Sequence, residues 1–164
     1  MAFDYTLDFK SINFRESPEL YRIGKGEQGV LLVEPYKSEI LPFWRFKNPD
    51  IARQSADKIF DLFIDYLAQH DIVGADMARK FLQMGYTRAR RYANHKSGQK
   101  YASNPQLEDS REKEIEARKE FLLPNTEDPV KAAAAAIFKQ KWQEAKDNKN
   151  YLALKAEHLQ KYGK

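Results

Sequence analysis

Seven basic side chains lie between Asp76 and Glu108 with no carboxylate among them: Arg79, Lys80, Arg88, Arg90, Arg91, Lys96 and Lys100. Guanidinium and ammonium groups on one face can meet phosphates spaced along a backbone, which is binding chemistry and not bond-making chemistry. Residues 1–76 hold 9 basic and 13 acidic side chains, and residues 108–164 hold 12 and 11. The short interval therefore supplies more than the whole net charge of +4, and it argues for a polyanionic partner.

Steps of about 100° per residue turn this line of charges into a surface. Ala78, Phe81, Leu82, Gly85, Tyr86, Ala89, Tyr92 and Ala93 share one arc, whereas Arg79, Lys80, Gln83, Thr87, Arg90, Arg91 and Asn94 share the other. Arg88 falls near the boundary. The arcs stay separate across Gly85, so one amphipathic helix over residues 75–95 is the economical reading. The alternative is a break at Gly85, with Thr87 capping a second helix. Gln83, Thr87 and Asn94 add neutral hydrogen-bonding groups, and the following loop extends the contact through Lys96 and Lys100. A competing account pairs this face with the surplus acids of residues 1–76.

A second candidate is Gly24-Lys25-Gly26-Glu27-Gln28-Gly29, a G-x-G-x-x-G string. A strand is expected after it, so the strand–turn–helix setting of a dinucleotide site is missing. A hairpin turn accounts for most such strings. With open amides and Lys25 it still offers an anion site, which Arg22, Lys37, Arg45 and Lys47 of the same β region can join. His70, His95 and His158 are scattered without metal-ligand spacing, and no serine sits in a nucleophile elbow. Neither a catalytic constellation nor a cofactor or metal is expected.

The elements that must position these residues follow from periodicity. Tyr5, Leu7 and Phe9 alternate with polar residues, and residues 20–23, 28–34 and 43–47 are further strand candidates, with a polar turn between Pro35 and Pro42. From Asn48, an N-cap before Pro49, the period becomes 3.6: Ala52, Ala56, Ile59, Phe60, Phe63 and Leu67 form a stripe ending near His70. Residues 96–107 read as a loop. Asp109 to Glu112 resembles a capping box opening a charge-laced helix or arm over residues 110–122, interrupted by Leu123-Pro124-Asn125. Asp128-Pro129 starts a helix to about Asp147, through an alanine tract suited to close packing. Asn150 caps a last helix with Leu152, Leu159 and Tyr162 inward. The reading is one domain over 1–164: a β-rich part (1–47), two amphipathic helices (48–95), a loop and charged segment (96–127) and a C-terminal helix pair (128–164). That order gives an α+β fold, a small N-terminal antiparallel β-meander followed by four to five α-helices.

With 42% hydrophobic residues a packed core is within reach. The absence of cysteine excludes disulfides and thiolate chemistry and fits a reducing compartment. The N-terminus lacks the features of a signal peptide, and the longest apolar runs are too short to span a bilayer. A cytoplasmic protein with no membrane role is expected.

Two strings, GEQGVLLVEPYKSEILP at 26–42 and ARKFLQMGYTRARRYANH at 78–95, stand with FWRFK at 43–47. Together they resemble an uncharacterised family of small proteins from bacteria and tailed phages, known only as a domain of unknown function. The resemblance implies a bacterial or phage-infected cell and carries no activity to any residue.

Three functions are compatible with these residues. The first is a non-enzymatic nucleic-acid-binding protein contacting DNA or RNA backbone through the basic helix. The second is a basic pocket for a nucleotide-like phosphorylated ligand. The third is an interaction protein docking on an acidic partner.

Overall fold

The computed structural model describes residues 2–95, 105–120, 122 and 127–163. The described residues form α1 (Tyr36–Ile40), α2 (Pro49–Ala68), α3 (Ile72–Asn94), α4 (Arg111–Glu120), α5 (Pro129–Lys146) and α6 (Lys149–Tyr162). Short 3-10 turns stand at Phe9–Ser11, Pro18–Leu20, Leu41–Phe43 and Pro105–Leu107.

The long helices begin where short polar side chains cap them. Asn48 Oδ1 accepts from the Ile51 amide at 2.9 Å with Pro49 at the first position, and Asp71 Oδ1 accepts from Gly74 at 3.0 Å. Asp128 receives Val130 and Lys131, and Asn148 receives Tyr151 at 3.0 Å. Between α2 and α3 the chain reverses through a Schellman turn. The Asp71 amide reaches the Tyr66 carbonyl at 2.8 Å, and His70 reaches Leu67 at 3.0 Å. His70 takes the left-handed position with φ 57°, where glycine is usual.

Helix α3 is the axis of the molecule. It is buried on every side from Ile72 to Leu82, as a core helix is. Helices α2 and α5 pack along it, and α1 and α6 also contact it. It runs unbroken through Gly85, where a Cβ would lie 2.3 Å from Cδ1 of Phe138. The glycine thus lets α5 press its largest buried ring against the α3 backbone.

No β-sheet forms among the described residues, so the α+β reading with an N-terminal β-meander is overturned: the fold is all-α. The alternating segments are real, but no partner strand is available. Phe3, Phe14, Tyr21, Ile23, Val30 and Val33 bury singly against the helices instead. Their backbone is satisfied by turns, such as Val30 N to Glu27 O at 3.2 Å and Leu32 N to Gly29 O at 3.0 Å. The expected hairpin at the glycine string is a run of turns, with Gly26 and Gly29 at φ 60° and 78°. The polar turn between the prolines is helix α1. Residues 2–35 are therefore an irregular arm wrapped over α3.

Two helical expectations also shift. Asn148, not Asn150, caps α6, which turns Tyr151 and His158 inward and leaves Leu152 and Tyr162 exposed. The cap of α4 is Ser110, whose Oγ accepts from Lys113 at 3.2 Å, and Glu114 bridges Arg111 and Arg118. The interruption expected at Leu123-Pro124-Asn125 lies outside the described residues, as do Lys96, Lys100 and most of their loop.

Candidate functional site

The first turns of the acid-free segment face inward. Arg79 and Lys80 are buried beside Asp76, one turn earlier on α3. Arg79 donates to Asp76 Oδ1 through Nη2 at 2.6 Å and Nε at 3.1 Å, and Lys80 Nζ lies 3.6 Å from Oδ2. Tyr151 of α6 donates to Oδ1 at 2.6 Å, and Tyr21 of the arm donates to Oδ2. Arg79 also donates to the Gly26 carbonyl and to Gln83 Oε1 at 3.0 Å, while Lys80 donates to the Gln28 carbonyl at 2.7 Å. The Lys80 ammonium sits over the rings of Phe3 and Tyr21 at 5.0 and 4.7 Å. These two cations take the arm's carbonyls that a neighbouring strand would otherwise have paired.

Burial pushes the Asp76 carboxyl up, but the charges of Arg79 and Lys80 and the tyrosine hydroxyls outweigh it and hold it below the usual carboxylate range. Burial pushes Lys80 down to about 8 against the pull of Asp76. The cluster at neutral pH is one carboxylate between two cations, closed to solvent. It fastens three parts of the chain together.

Further along α3 the side chains reach solvent. Thr87 donates to Glu27 at 3.0 Å, and Arg90 lies 3.4 Å from Glu127 across a largely exposed pair. Burial raises the Glu27 carboxyl, opposed by the Thr87 hydroxyl and the charge of Arg88. Asn94 is half-buried at the end of the helix. Arg88 and Arg91 are exposed, and Arg91 forms no ion pair among the described residues.

On the flank of α3 opposite Arg79, the sequence FWRFK crosses the helix. Trp44 Nε1 donates to the Phe81 carbonyl at 3.1 Å, and the Arg45 amide donates to Ser55 Oγ at 2.9 Å. This anchoring opens a cleft of about 350 Å³ between Arg45, Phe46, Lys47, Ile51, Tyr92 and Lys131. Three of the six are cations, and none is a carboxylate. Lys131 Nζ donates to the Lys47 carbonyl at 2.6 Å, which fixes the cleft wall. Tyr92, expected on the core-facing arc, is 39% exposed.

A second cleft, of about 360 Å³, lies between the arm, the α2–α3 turn and α6. Its lining mixes signs: Arg15 and Lys161 stand with Asp71 and Glu157. Arg15 is already held by Glu39 through paired bonds of 2.7 and 2.8 Å. Charge favours the Tyr92 cleft as the anion site.

Of the candidates read from sequence, Arg45 lines the Tyr92 cleft, and Arg91 stands exposed on the adjacent turn of α3. Arg79, Lys80 and Gln83 belong to the buried cluster, and Thr87 and Arg90 face carboxylates. Lys25 is exposed on the arm, across α3 from the cleft. Lys37 is on α1, which packs through Tyr36 near Gly74, some 25 Å of helix from Tyr92. Lys131 was missed, and Lys47 was read only as a residue that could join the anion contact of the glycine string. A signal for Lys47 existed: residues 40–49 are a second acid-free interval, holding Arg45 and Lys47. Nothing in the sequence brings Lys131 to it from 84 residues away.

A protein-family model described as "Domain of unknown function (DUF4385)" matches residues 4–161. No curated protein and no solved structure matches the chain.

Proposed function

Since the chain belongs to the DUF4385 family, whose description assigns no activity, we propose its function from its surface: it is a non-enzymatic binder of nucleic-acid backbone. The carrying observation is the carboxylate-free cleft lined by Arg45, Lys47 and Lys131, with the exposed Arg91 next in sequence to its Tyr92. Arg45 and Lys47 come from the segment before α2 and Lys131 from α5, so cations from two parts of the chain converge there, as contact with spaced phosphates requires. The binding face is thus the C-terminal turns of α3 and their neighbours, while Arg79 and Lys80 support it from within. The two motif strings are our ground for a bacterial or phage-infected cell as its setting. No helix among the described residues is long and apolar enough to cross a membrane.

The test is the salt dependence of binding to a duplex oligonucleotide. Each lost phosphate contact reduces the log–log slope by about 0.9. The triple variant R45A/K47A/R91A should bind more weakly with a slope nearer zero. A folded triple variant with unchanged affinity and slope overturns the proposal.

One observation favours a second reading, a phosphorylated small ligand: a cleft of about 350 Å³ falls in the size range of small-molecule sites. Calorimetry against nucleotides separates the two. Saturable nucleotide binding without affinity for polymers selects the pocket.

A further inference from the structure

We infer that the Tyr92 cleft takes single-stranded nucleic acid, with one unpaired base stacked on the Tyr92 ring and the flanking phosphates on Arg45, Lys47 and Lys131. This rests on the proposed function and names the form of its ligand.

The ring is held before any ligand arrives. Tyr92 packs on Phe46 with centroids 5.8 Å apart and planes tilted 44°. Phe46 meets Trp44 edge-on at 5.1 Å, and Trp44 meets the buried Phe81 at 6.2 Å. An aromatic chain thus runs from the core to the surface and ends on a ring that is 39% exposed. The backbone beneath it is pinned at both ends. Trp44 Nε1 is bonded to the Phe81 carbonyl, and the Lys47 carbonyl receives Lys131 at 2.6 Å. A platform that is already ordered loses little entropy on binding.

Chemistry then selects the ligand. A duplex offers phosphates but keeps the faces of its bases stacked inside. An aromatic face between cations is of use only to a base that is free to leave its stack. A cleft of about 350 Å³ admits a single base, whereas a duplex can offer the same cations only its phosphates. A π-face accepts every base, and no carboxylate lines the cleft to accept from an exocyclic amine, so little sequence preference follows.

The bland account is that Tyr92 merely covers the end of the core, and a leucine would do that equally well. Anisotropy of labelled 20-nucleotide poly-dT, poly-rU and a 20-base-pair duplex therefore decides it, with Y92F and Y92L compared against the unaltered chain after matched melting curves. Y92F should keep single-strand affinity. Y92L should lose about 5- to 100-fold on single strands, a larger loss than on duplex. A second readout needs no change at Tyr92: in a W142F chain, Trp44 emission should respond to poly-dT and not to duplex. Single-strand affinity untouched in Y92L overturns the stacking inference. If R45A/K47A/R91A still weakens binding, the nucleic-acid reading survives. Absence of binding to every polymer overturns both. Relative strength on poly-dT and poly-rU assigns DNA or RNA.

Discussion

Tyr151 donates its hydroxyl to Asp76 Oδ1 at 2.6 Å across 75 residues of sequence, closing a buried cluster that the arm enters from the other side through Tyr21. Asp76 is the only carboxylate facing Arg79 and Lys80 among the described residues. D76N keeps the shape and leaves two buried cations without a counter-ion. Its expected cost is about 3–5 kcal/mol. Urea unfolding measures this, and a loss below about 1 kcal/mol would show the cluster to be dispensable.

The pH profile of stability has a sign that can be worked out. Lys80 is pushed down to about 8, first by burial and then by Arg79, against Asp76. It faces Asp76 and Arg79 on α3 and Phe3, Tyr21 and the Gln28 carbonyl on the arm. An unfolded lysine titrates near 10.4, so between pH 8 and 10 the unfolded chain binds more protons and stability rises with pH. The slope is at most about 1.4 kcal/mol per unit. Above pH 10 the balance reverses, because burial holds Tyr21, Tyr36, Tyr66 and Tyr151 protonated while unfolded tyrosines ionise. Melting temperatures across pH 7–11 should pass through a maximum near pH 9–10. K80M should flatten the rising limb and keep the falling one.

Gly85→Ala drives a methyl into the Phe138 ring, 2.3 Å from the position its Cβ would take. Overpacking of this kind costs about 1–3 kcal/mol. F138L in the same chain makes room for the methyl, so the double variant should lose less than the two single losses added together. Thermal melts of the four proteins test that coupling.

His70→Gly removes left-handed strain at the α2–α3 turn and should raise stability by about 0.5–1 kcal/mol. His70→Val, β-branched at the same φ of 57°, should lower it. Chemical denaturation of both variants provides the comparison.

The helices were legible because their signals are local. Asn48-Pro49 and Asp128-Pro129 mark their starts within one turn, and the α2 stripe is buried except at Phe60. The arm was not legible, because residues 28–34 alternate like a strand and only the absence of a partner decides otherwise. Angular position on α3 separated polar from apolar residues correctly but could not say which polar residues meet water. Arg79 and Arg91 lie on the same arc, yet one is covered by the arm and the other is exposed. The offset in α6 has a related origin: Leu152, Leu159 and Tyr162 look like the inward set, but Tyr151 and His158 find Asp76 and the Tyr21 carbonyl, and those distant partners turn the other arc inward.

The grip of Arg79 and Lys80 on the arm also sets an order of events during synthesis. Residues 2–35 leave the ribosome before α3, so the Gly26 and Gln28 carbonyls wait for α3 to find their donors. The Tyr21 carbonyl waits longer still, for His158 Nε2 at 2.7 Å from 137 residues later. The Tyr21 end of the arm therefore stays unpaired until α6 has emerged. For an all-helical fold this is late commitment, imposed by contacts between residues far apart in sequence.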